Sequence, residues 1–244
     1  TELTDDGLKH VGRLAGLKFL DLGQTRVTDA GIQHLGGLKE LKQIDLDAIG
    51  VEIEGFGIGN DGLAVLATLP SLWRLTIRYS KVTDAGMIHL KNMSSLRSLD
   101  MESTKVSDRG LSLLKRLPQL ESLDLGGPDA PITDAASVHV GKLKSLRSLT
   151  LRGRNFSDAA LVHVAKLAHL EYLTLEDTAI TNEGLRHLAP LSSLKWIRFR
   201  QLTDGGAAHL AKLKSLATIT GDLELTDDGV IALARLPQLE KMRL

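Results

Sequence analysis

The sequence predicts an α/β solenoid, in which short strand–helix units are stacked along the chain. Three observations support this prediction. One frame of residues returns along the chain, as in residues 17–38 (LKFLDLGQTRVTDAGIQHLGGL), 96–117 (LRSLDMESTKVSDRGLSLLKRL) and 170–191 (LEYLTLEDTAITNEGLRHLAPL). Each copy opens with alternating apolar and polar residues, the pattern of a half-buried strand. Each copy then places apolar residues at helical spacing, so every unit contains both kinds of element.

The repeat length follows from the apolar residue that precedes the Thr-Asp pair, or the equivalent residues, in each copy. Most successive marks are 24 residues apart, two are 31 and 26 apart, and two are 22 and 23 apart. The chain therefore carries ten units, with two insertions and two shortenings. The marks are Leu3, Val27, Ile58, Val82, Val106, Ile132, Phe156, Ile180, Leu202 and Leu225.

Each unit begins with a strand whose two leucines point inward, as Leu20 and Leu22 do on either side of Asp21. The equivalent triplets predict strand cores at 20–22, 44–46, 75–77, 99–101, 123–125, 149–151, 173–175, 197–199, 219–221 and 242–244.

A helix follows each strand. In the first complete copy its apolar residues recur at Ile32, Leu35 and Leu38. Thr28 is placed to cap this helix, and Asp29 lies in its first turn, where the helix dipole favours a negative charge. Gly31 is expected to let the helix pack closely against its neighbour. Because so short a helix is marginal alone, each unit needs neighbours, which is the property of a solenoid.

The repeated frame L-x-x-L-x-L-x-x-T-x-V-T-D-x-G-L resembles the leucine-rich repeat, and its T-D-x-G-L segment looks like the subclass of F-box/LRR proteins and many bacterial arrays. The resemblance covers residues 3–244 and implies one domain over 1–244, folded as a right-handed α/β horseshoe. Ten repeats of 24 residues would place a parallel sheet on the concave face and helices on the convex face. The chain departs from the family in having Thr25, Ser80, Thr104 and Thr178 where Asn or Cys is usual.

Composition and motifs exclude several classes of function. The formal charge is +0 and the chain has no Cys, so it offers no global field for nucleic acid and no thiolate chemistry. No catalytic or cofactor-binding motif is present, and we predict no catalytic, cofactor or metal site. No apolar run is long enough to span a membrane and no signal peptide is evident, which leaves the localisation unknown.

Seven of the eight histidines share one repeat position, seven residues after the mark. Equivalent residues on neighbouring helices lie about 8–10 Å apart, whereas zinc needs nitrogen ligands at about 2.0–2.1 Å. We therefore interpret this column as a packing feature of the repeat.

Few aromatic residues occur, only 3% of the chain, and most of them lie outside the core positions of the repeat. Phe156 and Phe199 fall on core positions and are predicted to be structural. Aromatic and arginine side chains commonly anchor protein interfaces. The candidate partner-binding residues are Phe19, Phe56, Trp73, Arg74, Arg78, Tyr79, Tyr172, Trp196, Arg198 and Arg200.

Charge changes along the predicted concave face. Asp21, Asp45 and Asp47 mark the early strands, and Arg147, Arg152, Arg154, Lys195, Arg198 and Arg200 mark the late ones. Insertions at 47–58 and at 126–131 both follow strands and are predicted to lie on one rim, the kind of site where solenoids bind.

These features predict a non-enzymatic protein–protein interaction module that binds a protein or peptide on its concave face and on the rim with the insertions. The alternative is the substrate-recognition part of a larger enzyme assembly, either a ubiquitin-ligase adaptor or a fused bacterial catalytic protein. A third hypothesis is an array that self-associates through uncapped ends. Neither end shows a capping unit, so we expect the domain to be part of a longer chain. The charge pattern does not favour nucleic acid as the partner.

Overall fold

The computed structural model describes residues 2–48 and 57–242. These residues fall into two compact units, each made of several repeats. The first unit ends at Pro131 and the second begins at Ile132. Each unit repeats the same order of elements, a short strand followed by a helix. The two units are described in turn.

The first unit contains five parallel strands that pair in chain order. The register follows the repeat, since Leu20 pairs with Ile44, Ile44 with Leu75, and Leu75 with Leu99. The strands are β1 (Phe19–Asp21), β2 (Gln43–Asp45), β3 (Arg74–Thr76), β4 (Ser98–Asp100) and β5 (Ser122–Gly126). The α-helices are α1 (Asp5–Val11), α2 (Asp29–Ile32), α3 (Asn60–Leu66) and α4 (Asp108–Leu111), and the 3₁₀ helices are Gln33–Gly37, Gly86–Asn92 and Ser112–Arg116.

The second unit also contains five parallel strands, and they too pair in chain order. They are β6 (Ser148–Arg152), β7 (Tyr172–Glu176), β8 (Trp196–Thr203), β9 (Thr218–Glu224) and β10 (Lys241–Met242). The α-helices are α5 (Asp134–Val140), α6 (Asp158–Val164), α7 (Asp204–Leu210) and α8 (Asp227–Leu233), and Gly184–Leu188 is a 3₁₀ helix. The shortened repeat near Gln201 changes the connection, because β8 continues as a strand to Thr203, directly before α7.

The predicted α/β solenoid is confirmed, and a strand lies at or next to each predicted strand position. The first four strands begin and end one residue earlier than predicted. Ladder bonding nevertheless reaches the second leucine, since the backbone N–H of Leu22 donates to the Asp45 carbonyl at 2.8 Å. The predicted triplets therefore locate the hydrogen-bonded segment correctly.

Aliphatic side chains of the repeat frame fill the interior. Ile32, Leu35 and Leu38 have no exposed surface, as their helical spacing predicts. Phe156 is fully buried and Phe199 is 3% exposed, which confirms that both are structural. Burial of this apolar surface is the main stabilising contribution that neighbouring repeats make to one another.

Helix starts are joined from one repeat to the next by a carboxylate. In the first unit, Asp5 accepts hydrogen bonds from the backbone N–H and the hydroxyl of Thr28, both at 2.7 Å. Thr28 also caps α2, as predicted, by accepting from the N–H of Ala30. In the second unit, Asp158 accepts the equivalent pair of bonds from Thr181. Asp5 and Asp158 therefore each fasten the residue at the start of the following helix, a role beyond their favourable place in the helix dipole.

The glycine of the frame gives this carboxylate its space. A Cβ atom on Gly31 would overlap Oδ1 of Asp5, and one on Gly184 would overlap Oδ1 of Asp158. The expectation that Gly31 permits close packing is thus explained by one particular contact, between a glycine and the preceding repeat's aspartate.

Candidate binding surfaces

The outward side chains of the strands form one polar face in each unit. We call the outward residues of β1–β5 the first strand face and those of β6–β10 the second strand face. Strand alternation separates these faces from the core, since Leu173 and Leu175 of β7 are buried while Tyr172 is 47% exposed. Within each unit, in-register pairing sets equivalent outward residues side by side.

Two aromatic side chains lie next to each other on the second strand face. Tyr172 of β7 pairs in register with Trp196 of β8. Small side chains adjoin the pair, Ser148 on the β6 side and Thr218 on the β9 side. Trp196 is half-buried, so its ring has a fixed base and an accessible part. Because aromatic rings supply large contact area at low entropic cost, this pair is a preformed contact patch.

Internal ion pairs hold most of the cations on this face. Glu171 bonds both Arg147, at 2.5 Å, and Lys195, at 2.7 Å. The hydrogen bond from Lys195, together with that from Arg147, lowers the pKa of Glu171. Glu176 bonds Arg152 and lies 3.7 Å from Arg198. These glutamates therefore orient the basic side chains and neutralise part of their charge.

A groove opens where strands β7 and β8 end. We call it the rim groove; it has a volume of about 470 Å³, and its walls include Arg154, Thr178, Ile180, Phe199 and Arg200. Ile180 and Phe199 form a buried apolar floor. Arg200 lies 3.4 Å from Asp177, and both side chains are more than half exposed. Arg154 belongs to the predicted basic stretch but not to the predicted anchors, since sequence alone does not show that the turns after β6 and β7 meet at a groove.

The first strand face carries Phe19 and Arg74 at its predicted outward positions. Phe19, Gln43 and Arg74 follow one another in register on β1, β2 and β3. They line a shallow groove of about 360 Å³ together with Asp21 and Asp45. Phe19 is 60% exposed, the most exposed aromatic side chain in the described part of the chain. Trp73 lies beside Arg74, directly before β3, and is half-buried.

Arg78 has a different environment from the other predicted anchors. Its guanidinium lies 2.5 Å from Glu102, 3.5 Å from Asp47 and 3.8 Å from Asp100. The Glu102 side chain is only 7% exposed. The structure therefore places Arg78 inside an acidic cluster of its own unit, where its first role is to compensate buried carboxylates.

Burial has a large effect on one carboxylate of this cluster. It raises the pKa of Asp100 to about 7, and the neighbouring charge of Asp124 adds to the effect. Asp100 pairs in register with Asp124, so two carboxylates lie side by side on adjacent strands. The Asp100 carboxylate is thus partly shielded from solvent, with 24% of its side chain exposed.

Tyr79 follows Arg78 and has left-handed backbone geometry, with φ of 55°. The same position in the repeat is occupied by Gly127 and Gly153, for which positive φ costs little. The guanidinium of Arg78 lies over the Tyr79 ring, 5.8 Å from its centre. A bulky residue in this conformation is strained, so Tyr79 is held there by its surroundings.

The two predicted insertions have different outcomes. Phe56 and most of the segment 47–58 lie outside the described residues. Gly126 and Gly127 both have positive φ, and the N–H of Ala130 donates to the Gly127 carbonyl. The second insertion is therefore a turn, as its glycines and prolines predict.

The histidine column lies on the helices, with side chains that are exposed or half-buried. His209 lies 3.3 Å from Glu183, and His163 lies 3.2 Å from Lys166. Over residues 2–48 and 57–242, no group of three or more His, Asp or Glu side chains is placed to hold a metal ion. In the same ranges, every helix is too short, or too polar, to cross a membrane.

Comparison with known proteins supports the resemblance drawn from the sequence. The family model described as "Leucine Rich repeat" matches residues 92–115 and 166–189. No protein with a curated description matches the sequence significantly.

Similar solved structures include an internalin (inlF) from Listeria monocytogenes, with 22% identity and a TM-score of 0.63, covering 97% of this chain and 70% of that one. An internalin C2 from the same species has 21% identity and a TM-score of 0.57, covering 88% and 83%. TLR13, in a complex with ssRNA13, has 20% identity and a TM-score of 0.64, covering 96% of this chain but 36% of its own. Two segments of the chain thus match the leucine-rich-repeat model, and these solved structures share its fold.

Proposed function

We propose that the chain is a non-enzymatic interaction module that binds a protein or peptide through its strand faces. The observation that carries the proposal is the in-register pair of Tyr172 and Trp196, with Arg198 beside it on β8. Large rings that remain accessible on a rigid sheet are the residues from which interface hot spots are built. The surrounding ion pairs fix the side chains beside these rings, so the aromatic patch has ordered neighbours.

Phe19 and Arg74 give the first strand face a second accessible anchor set. We assign Arg78 a supporting role here, since it is engaged by carboxylates of its own unit. Trp73 and Tyr79 belong to the proposed surface as partly accessible rings beside Arg74 and Arg78. The open grooves on these faces suit an extended segment or a protein edge better than a small molecule, which is usually enclosed in a deep cavity.

The test is quantitative affinity purification with the whole chain as bait in an extract of its source organism. We expect at least one protein to be retained by the unaltered chain and lost from the double variant Tyr172→Ala with Trp196→Ala. The matched control is Val138→Ser with Val162→Ser, which removes two exposed apolar side chains from α5 and α6. The proposal is wrong if no protein shows this pattern, or if both variants lose the same proteins.

A further inference from the structure

The arginines at the rim groove of the second unit are unpaired or only loosely paired within the described residues. Most other basic groups on this face are already paired. Arg147 and Lys195 share Glu171, and Arg152 and Arg198 share Glu176. Within the described part of the chain, no acidic side chain lies at ion-pair distance from Arg154. The local balance of charge is therefore positive, and the excess is concentrated at this groove.

Arg200 is only loosely committed to its own unit. Its ion pair with Asp177 spans 3.4 Å and joins side chains that are 59% and 73% exposed. Exposed pairs of this kind contribute little stability, so the guanidinium can turn toward a ligand at small cost. Arg154 and Arg200 both line the groove, and the Thr178 hydroxyl, which makes no hydrogen bond within the described residues, lines it as well.

We infer that the rim groove binds an acidic peptide segment, whose Asp or Glu carboxylates pair with Arg154 and Arg200. This inference rests on the proposed function and specifies the chemistry of its partner. Arginine is suited to the role because its planar fork donates two parallel hydrogen bonds to one carboxylate. The apolar floor of Ile180 and Phe199 receives the aliphatic part of the segment, and Tyr172 and Trp196 extend the contact along β7 and β8.

Single-stranded nucleic acid fits the same groove less well. A phosphodiester chain carries regularly spaced charges and is bound by rows of unpaired cations. Here the two available arginines are accompanied by Glu176 and Asp177, whose carboxylates would repel neighbouring phosphates. Separate carboxylates on a peptide avoid this repulsion, because neutral residues between them can lie against the acidic side chains.

The experiment is selection of a phage-displayed library of random dodecapeptides on the immobilised whole chain. We expect the selected sequences to be enriched in Asp and Glu relative to the unselected library. A synthetic peptide from this pool should lose affinity roughly tenfold or more on the variant Arg154→Glu with Arg200→Glu, since two attractions become repulsions. The same peptide should bind more weakly as salt is raised, because exposed charges are screened.

Lys142→Glu with Lys212→Glu is the matched control, since it makes the same change in net charge at exposed lysines that follow α5 and α7. This control should keep the affinity within about twofold of the unaltered chain. An equal loss on both variants would mean a general charge effect and would overturn the inference.

Two other results overturn it while leaving the proposed function intact. One is a pool of peptides without acidic enrichment whose binding still requires Tyr172 and Trp196. The other is a labelled single-stranded RNA of mixed sequence that binds more tightly than the best acidic peptide and is lost on Arg154→Glu with Arg200→Glu, which would assign the groove to nucleic acid. A selection that yields no binding peptide also contradicts an acidic-peptide site.

Discussion

The substitution Gly184→Ala tests why the repeat has glycine at this position. The explanation under test is that the Asp158 carboxylate, which bridges two consecutive repeats, leaves no room for a methyl group. Asp158 accepts two hydrogen bonds from Thr181, from its N–H and its hydroxyl, each 2.7 Å long. A Cβ atom at Gly184 would overlap the oxygen that receives the backbone bond. Gly184→Ala therefore has two opposing effects on stability: alanine favours the helix, and its methyl group disturbs the hydrogen bonds between Asp158 and Thr181.

The expected magnitude follows from these opposing contributions. Alanine in place of glycine in a helix stabilises by about 0.5–1 kcal/mol. Displacing the Asp158 carboxylate weakens two charge-assisted bonds, each contributing about 1.5–3 kcal/mol when shielded from water. Because Thr181 is exposed, water replaces part of this. We expect Gly184→Ala to lower the free energy of unfolding by about 1–2 kcal/mol.

The effect of Gly184→Ala on the free energy of unfolding should change sign when the Asp158 carboxylate is removed. In the background Asp158→Ala, the methyl at position 184 meets no carboxylate, and Gly184→Ala should stabilise by about 0.5–1 kcal/mol. The assay is equilibrium urea unfolding of the four proteins in this cycle, followed by circular dichroism, with the m-value checked for constancy because repeat arrays can unfold in stages. If Gly184→Ala changes the free energy of unfolding in the same direction in both backgrounds, the Asp158 carboxylate is not the reason for glycine at this position.

Ala160 provides the matched control, since it has the same place in its repeat as Gly184. Beside it, Asp134 keeps both bonds to Ser157, at 2.8 and 2.5 Å, so this position accepts a methyl group where its neighbours fit it. Because the Ala160 methyl is fully buried, Ala160→Gly should cost the helix preference and the burial of one methyl group, together about 1–2 kcal/mol. Replacing the alanine should leave the two bonds of Asp134 intact, so a loss well above this range would contradict the comparison with Gly184.

Three further predictions concern the first unit. Tyr79→Gly should be more stable than Tyr79→Ala by about 1 kcal/mol in urea unfolding, because both remove the ring and only glycine relieves the left-handed backbone; equal stabilities would refute the strain. Burial lets the folded state hold the Asp100 proton more tightly than the unfolded chain does, so this stabilisation is complete below about pH 4 and lost as pH rises to about 7. Relative to Asp100→Asn, the chain should therefore lose roughly 2–4 kcal/mol between pH 4 and 8; a constant difference across that range would contradict the raised pKa. Asp124→Asn removes a charge that raises the pKa of Asp100, so it should make the loss smaller and shift it to lower pH. Finally, Arg78→Ala should cost about 1.5–3 kcal/mol, because it removes charge-assisted bonds from a partly buried ion cluster, whereas Arg74→Ala should cost less than about 0.5 kcal/mol; similar losses would remove the distinction between the two arginines.

Much of the fold could be predicted because the residue pattern within each repeat indicates both its strand and its helix. Leu20 and Leu22 alternate with a polar residue, and Ile32, Leu35 and Leu38 recur at helical spacing, so both elements are readable within one unit. Ten copies then confirm one another, which removes the usual ambiguity of short apolar runs. The strand ends differ by one residue because ladder hydrogen bonds, rather than the leucine pattern, set where a strand begins.

The bridge between repeats could not be predicted in the same way. Asp158 and Thr181 are 23 residues apart, and each has a sufficient local explanation, Asp158 in the first turn of its helix and Thr181 before the next one. Only the closeness of consecutive helix starts shows that the two side chains meet. The sequence signal, an Asp and a Gly at fixed positions in most copies, becomes interpretable once the overlap with Gly184 is known.

The alternation of inward and outward side chains along a strand predicts which residues of the candidate site are accessible. Tyr172, Trp196 and Phe19 occupy outward positions, and the structure places them on the strand faces with accessible rings. Alternation does not describe charge surroundings, and this limits the prediction for arginines. Arg78 and Arg198 both occupy outward positions, since each follows a buried isoleucine. Arg78 is nevertheless surrounded by three carboxylates of its own unit, while Arg198 is 54% exposed and lies 3.7 Å from Glu176, which Arg152 also bonds.

Charge that a unit has already paired is unavailable to a partner, and this decides which basic residues can give specificity. Six basic residues accompany strands β6–β8 in the sequence, but Glu171 and Glu176 occupy four of them. The other two line the same groove: Arg154, which has no ion pair with a described residue, and Arg200, whose pair with Asp177 spans 3.4 Å and is exposed on both sides. A partner that presents carboxylates there gains attraction without separating any close internal pair, whereas a partner placed over Arg147 and Lys195 must first displace Glu171. Acidic segments are therefore expected to bind at the rim groove rather than across the whole basic stretch.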